Sequence, residues 1–221
     1  MGAIYSQDRE DQFIAEWFSG KTTGKLLDIG AYDGVTGSNC LRLLEQGWSG
    51  LLIDAGPEVF DKLAANMKSR ELLNRTALLH SAVLPDYYPN IREIDFYEVG
   101  RSDFFGFGLG SIISDEHKVY AKAKNLSDLR VEIRQVPCMR CCDLFARIGY
   151  DWDFISIDVE GMNYELMLDI PWQQLCNLSL LCIEGDMTRS RIELAMAVNR
   201  YRLVEMIDCN FFFAPHHHRP S

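Results

Sequence analysis

No stretch of this 221-residue chain stays apolar for the roughly 20 residues that a membrane span requires. Its first residues, MGAIYSQDREDQF, are acidic and lack the basic-then-apolar layout of a secretory leader. The expectation is a cytoplasmic protein. Positive charge is scarce too: Lys and Arg number 22 against 32 Asp and Glu, a formal balance of −10. A surface that acidic repels phosphate backbones and anionic lipid, so neither nucleic acid nor membrane is an expected partner. Metal-ligand spacing is thin as well. Of seven cysteines only Cys138 and Cys141 form a CxxC, beside Cys142, and there is no second CxxC and no HxxxH. A structural zinc site needs four ligands, usually two such pairs, so reduced thiols are expected instead. Cys40, Cys176, Cys182 and Cys209 sit in apolar sequence and read as small buried hydrophobes. No internal repeat is visible.

What is there is a βαβα rhythm. Apolar runs at 25–29, 50–54, 76–83, 154–158 and 178–184 predict strands. Helical spacing predicts helices at 38–46, 57–68, 163–169 and 189–199, with Pro57 suited to a first turn and Gly47 to a helix stop. Runs 201–207 and 211–214 are separated only by Asp208-Cys209-Asn210. That is too short for a helical crossover, so they are expected as an antiparallel hairpin at one sheet edge. The pattern implies one α/β domain over 1–221, a mostly parallel sheet with helices on both faces. Residues 84–150 break the rhythm with Pro85, Pro89, a strand-like 94–99 and the stretch GRSDFFGFGLGS. They read as an insertion over the open end of the sheet, where loops set substrate specificity. Phe104, Phe105 and Phe107 argue against a disordered linker there; they serve either to stack on an acceptor or as a small satellite core. Residues 215–221, with His216 to His218, read as a tail.

Two glycine-bearing pieces compete for a ligand. Gly20-Lys21-Thr22 has the tail of a phosphate-binding loop, but the glycine such a loop needs five residues earlier is Ala15. The preceding 13–18 has helical spacing rather than a strand, so Gly20-Lys21 reads as a helix stop and turn. The second piece, Gly30 to Gly34, follows the strand Leu26-Leu27-Asp28-Ile29 and precedes the capping residues Ser38-Asn39. Glycines there let backbone approach a ligand. Asp54 closes the next strand 20 residues beyond Gly34, where a carboxylate accepts both ribose hydroxyls. A nucleoside ligand follows. Dinucleotides ask for GxGxxG around a pyrophosphate. Here the spacing is GxxxG, and Asp28 and Asp33 would repel a pyrophosphate but suit the amino group of a methionine moiety. A cationic, phosphate-free ligand such as S-adenosylmethionine is therefore expected over NAD. The terminal hairpin agrees, because methyltransferases of this sheet type end so.

Tyr5-Ser6-Gln7, Asp28-Ile29-Gly30-Ala31-x-Asp33-Gly34, Ser38-Asn39, Gly47-Trp48-x-Gly50, Ser111-Ile112-Ile113-Ser114 with His117, and Ile157-Asp158-Val159-Glu160-Gly161 occur in that order over nearly the whole chain. Together they resemble the FkbM family of S-adenosylmethionine-dependent methyltransferases. The resemblance implies a seven-stranded Rossmann-like fold. It also implies methyl transfer to a hydroxyl of a sugar, polysaccharide or secondary metabolite. The chain departs from the family in having Asp54-Ala55-Gly56-Pro57 where Glu-Pro is usual, and Tyr32 where Asn is commoner. The third strand ends His80-Ser81-Ala82, with no acidic residue for the adenine amino group, so backbone at Ser81 and Ala82 is expected to serve.

An alcohol acceptor must be aligned with the methyl carbon and relieved of its proton by a base or a metal. Asp158, Glu160, Glu184 and Asp186 lie at the ends of the fourth and fifth strands, which line the ligand crevice. Asp158 suits the methionine part of the donor or a divalent ion, and with Glu184 and Asp186 it has the oxygen donors for magnesium or manganese. Glu160 and Asp186 equally suit helix N-termini as plain charge. His117, in the insertion, has the ordinary pKa of a base, or is a solvated histidine between Glu116 and Lys118. His80, ending an apolar strand, reads as a core histidine, and Trp48 and Trp152 as packing.

Overall fold

Leu26 and Leu27 are neighbours and both are buried, which a strand permits only where both of its faces are covered. The computed structural model describes residues 5–101, 104–105, 110–112, 130–185 and 187–217. The chain begins with α1 (Glu10–Trp17), β1 (Lys25–Ile29), α2 (Leu41–Glu45), β2 (Ser49–Asp54), α3 (Pro57–Ser69) and β3 (Thr76–His80). Then come β4 (Ala82–Leu84), β5 (Glu93–Arg101), β6 (Phe104–Phe105), β7 (Arg130–Arg140) and α4 (Cys141–Ile148). The chain continues through β8 (Phe154–Ile157), α5 (Asn163–Asp169), β9 (Leu180–Glu184), α6 (Arg189–Val198), β10 (Tyr201–Ile207) and β11 (Asn210–Pro215).

The larger sheet has seven strands in the order β10-β11-β9-β8-β1-β2-β3. Its β3-β2-β1-β8-β9 part is parallel, and β11 pairs antiparallel with both β9 and β10. Period-two alternation sorts its side chains. Leu27, Ile29, Ile155, Ile157, Leu181 and Ile183 pack with Leu144, Leu166 and Ile192 of α4, α5 and α6. Leu26, Leu52, Phe154, Leu180 and Phe212 pack on the other face with Ile14, Leu41 and Leu63 of α1, α2 and α3. This is the α/β, Rossmann-like sheet expected from the sequence.

Four differences matter. Residues 76–83 are not one strand. The chain leaves the large sheet at Ser81, whose N–H donates to the Asp54 carbonyl. It then enters a second sheet, β4-β7-β5-β6, through the parallel pairing of β4 with β7. The terminal hairpin forms, but β11 lies inside the sheet and β10 is the edge. Pro215 is the last residue of β11 rather than the start of a tail. Cys176 is exposed, not buried. Cys209 is half-buried. Gly20 follows α1 as a turn at φ +84, as expected. The His80 ring bonds the Ala55 carbonyl at 3.0 Å and stacks on Phe60.

β1 and β8 run so close at their carboxyl ends that residue 30 has no room for a side chain. Gly30 has φ +90, and a Cβ there would lie 1.6 Å from the Asp158 carbonyl oxygen. Gly149, at φ +77, has nothing within 4 Å of that position. Gly30→Ala is therefore expected to lower the unfolding free energy in urea by more than about 3 kcal/mol, or to prevent folding. Gly149→Ala, at φ +77 and ψ −170, should cost about 1–3 kcal/mol, the backbone strain alone. Equal costs would mean that the β1–β8 contact yields.

Candidate active site

The carboxyl ends of β1, β2, β8 and β9 open on a cavity of about 560 Å³. β5 and residues 110–112 of the inserted segment cover it. Asp28, Gly30, Ala31, Ser38 and Asn39 line it from the first loop; Asp54, Ser81 and Ala82 do so from the next two strand ends; Asp158, Glu160 and Glu184 face them. Sequence reading thus placed most of its candidates in one site. Two of them stand elsewhere. The Asp33 carboxylate closes its own turn, accepting from the Val35 and Thr36 N–H groups at 2.8 and 2.7 Å and from the Thr36 hydroxyl at 2.8 Å. Gly34 faces α3, where a Cβ would meet Leu63 at 2.5 Å, so its role is packing and not ligand approach. Gly30, likewise, makes room for Asp158 rather than for a ligand. His117 and Asp186 lie outside the described residues.

The loop after β1 is folded by its hydrogen bonds. The N–H groups of Gly30 and Ala31 both donate to the Ile53 carbonyl at 2.9 Å. Tyr32, left-handed at φ +51, aims its N–H at one Asp54 oxygen (2.8 Å), while the Gly56 N–H donates to the other (2.9 Å). The Asp54 carboxylate is so fixed at the cavity wall with lone pairs to spare. Ser38 Oγ accepts from the Cys40 and Leu41 N–H groups at 3.3 and 3.1 Å, which is why α2 begins at Leu41 and not at residue 38.

Burial governs the electrostatics. It raises Asp54 to about 7 against the opposing Gly56 and Tyr32 N–H bonds. It raises Asp28 to about 6 against hydrogen bonds from Cys40 and Ser156. Asp158 is pushed well above the carboxylate range by burial first, then by Glu184 and Glu160, and it shares a side-chain hydrogen bond with Glu184. Asn163, fully buried, brackets the pair: its Oδ1 accepts from the Val159 N–H at 2.8 Å and its Nδ2 donates to Glu184 at 3.2 Å. Glu160 is left-handed at φ +50, and its carbonyl accepts the Ser111 hydroxyl at 2.8 Å, tying the inserted segment to the loop after β8.

Sequence reasoning missed Glu98, which reaches the cavity from β5 and is 2 % exposed. The signal was the alternation Ile94, Phe96, Glu98, which puts it on the inward face of its strand. Six carboxyl residues thus line the cavity: Asp28, Asp54, Glu98, Asp158, Glu160 and Glu184. No Lys, Arg or His among the described residues does so. Such a wall repels a pyrophosphate and suits a cation carrying hydroxyl and amino donors. The described residues contain no group of three His, Cys, Asp or Glu side chains arranged for a metal ion, at the cavity or at Cys138-Cys141. No described helix is long and apolar enough to cross a membrane.

Comparison with known proteins places this geometry. A putative methyltransferase, yhhF, from Escherichia coli superposes with a TM-score of 0.51 at 10% identity, over 96% of this chain and 88% of that one. At that identity the likeness concerns the fold. The ribosomal protein L11 methylase from Lactobacillus delbrueckii subsp. bulgaricus gives 0.49 at 14% identity, over 94% and 77% of the two chains. TrmK of M. capricolum, solved with S-adenosyl-homocysteine, gives 0.46 at 10%, over 96% and 68%. No curated protein matches the sequence. The family model described as the methyltransferase FkbM domain matches residues 28–211.

The raised carboxyls of the cavity, Asp28, Asp54, Glu98 and Asp158, set a pH dependence. Each ionises less readily folded than unfolded, so the stability it contributes is full below about pH 4 and is lost as pH rises through the folded values of about 6 and 7. The melting temperature of the ligand-free protein is expected to fall between pH 5.5 and 8, and Asp54→Asn to flatten that slope. A wild-type melting temperature that rises over this range would contradict the assignment.

Proposed function

Because this chain belongs to the methyltransferase FkbM domain family, and so is an S-adenosylmethionine-dependent methyltransferase, we propose that it methylates a hydroxyl oxygen of a sugar, polysaccharide or secondary metabolite. The observation that carries the proposal is the wall of carboxyls without a facing cation among the described residues. S-adenosylmethionine, when bound, supplies a methyl group on a sulfonium, which an acceptor oxygen displaces in line with the C–S electron pair passing to sulfur. The residues present fit it. Asp54, held from behind by two N–H groups, has free lone pairs for ribose hydroxyls. Asp28 offers an acid group to the methionine ammonium. The same wall disfavours an acceptor that is itself a carboxylate or a phosphate.

Removing the hydroxyl proton is the task of the Asp158–Glu184 pair. The pair sits where β8 and β9 end, with one Asp158 oxygen buried and lacking a donor. That oxygen is free to accept a proton. As the oxygen–carbon bond forms, the hydroxyl proton passes to this pair and later to solvent. Asn163 acts as a positioning residue by fixing Glu184. The covering segment at Ile112 forms the acceptor side.

Two substitutions separate the roles. Asp54→Ala should weaken S-adenosylhomocysteine binding in calorimetry by tenfold or more, and wild-type binding should weaken as pH falls through about 7, where Asp54 takes up a proton. Asp158→Asn should leave that binding within a few-fold and lower kcat by about 10²–10⁴ on the hydroxyl acceptor found by screening. An Asp158→Asn enzyme with unchanged kcat would remove the pair from the mechanism. Amines methylated in preference to alcohols would overturn the acceptor class.

A further inference from the structure

Glu98 is a buried carboxylate that the donor and proton roles above do not use. Neither of its oxygens has a hydrogen-bond partner among the described residues. Among the described residues its cationic neighbour is Arg134, 3.5 Å away through Nε. That guanidinium is shared with Glu132 at 2.5 Å and Glu58 at 3.9 Å. Burying a carboxylate without donors is costly, and the usual reason for keeping one is a ligand that brings them.

Its place indicates which part of the ligand. A Cβ built on Gly56 would lie 3.5 Å from Asp54 Oδ1 and 3.5 Å from Glu98 Oε1. The two oxygens are therefore no further apart than twice that distance. Where Asp54 holds the ribose, Glu98 is on the side of the base. Phe96, two residues back on the same face of β5, lines the cavity with Val59 and Ala82 and supplies apolar walls for a flat ring. The strand end at Ser81-Ala82 offers that ring no side-chain acid. Its one side-chain oxygen, Ser81 Oγ, donates to the Ala82 carbonyl at 3.1 Å.

We propose that Glu98, delivered by the inserted sheet rather than by the nucleotide-binding strands, is the group that recognises the base, its carboxylate accepting an exocyclic amino N–H of adenine. The inserted sheet then completes the donor site as well as covering the acceptor side. The inference rests on the donor reading and is independent of the acceptor class.

Binding of S-adenosylhomocysteine and of S-inosylhomocysteine, in which an oxygen replaces that amino group, tests it by calorimetry on wild type and Glu98→Gln. Wild type should prefer the amino ligand by about 10- to 100-fold, because the 6-oxo group faces a carboxylate with no donor. Glu98→Gln, whose amide turns to donate or accept, should bring the two ligands within about threefold. Equal wild-type affinities would overturn the inference alone, and that comparison needs no variant. A preference unchanged in Glu98→Gln would overturn it as well. Wild type that binds neither ligand would overturn it together with the donor reading beneath it.

Discussion

The cavity exists because one carbon atom is missing at residue 30. β1 and β8 are parallel neighbours, and where both end the Gly30 backbone passes against the Asp158 carbonyl. That contact lets the first loop swing across the end of β2, so that Gly30 and Ala31 bond Ile53 and Tyr32 bonds Asp54. It also fixes the start of the 158–161 loop, whose left-handed pair Glu160 and Gly161 turns toward the inserted segment. A side chain at residue 30 would separate the strands and disperse all of these groups together.

The second constraint is electrostatic. Six acidic side chains converge on a space with no described basic residue, inside a molecule already strongly acidic. Desolvation acts against their ionisation, joined by nearby carboxylates at Asp54, Glu98 and Asp158, and raised pKa values at Asp28, Asp54, Glu98 and Asp158 are the result. The same arrangement makes the site selective. It rejects phosphate-bearing nucleosides by repulsion and favours a ligand with positive charge, which relieves the strain between the carboxyls.

Much of this was legible in the sequence, and the reasons are local. β1, β2, β8 and β9 are buried on both faces, so they appear as short apolar runs between turn residues, and the acids that end them fall at the crevice by topology alone. The second sheet was not legible, apart from the strand-like stretch of β5. In β7, RVEIRQVPCMR, only Val136 and Cys138 are buried, and Pro137 stands in the strand. Neither a continuous apolar run nor a clean alternation results. The break at Ser81 was hidden because residues on both sides of it are apolar, although they belong to different sheets. Asp33 misled for a different reason. Its side chain is satisfied by N–H groups two and three residues on, an interaction that spacing cannot distinguish from ligand binding.

The placement of β11 has a consequence for how the chain is made. It comes last in chain order among the described strands, yet it fills an interior position, between β9 and β10. Phe212 packs edge-on against Phe13 of α1, and Asn210 donates to the buried Glu10, contacts that join opposite ends of the sequence. Until residues 210–215 have left the ribosome, β9 exposes an unpaired edge and the α1 face of the core lacks its aromatic centre. The large sheet closes only when residues 210–215 join it, in one late step of high contact order, with the nascent β9 edge open to other chains in the interval.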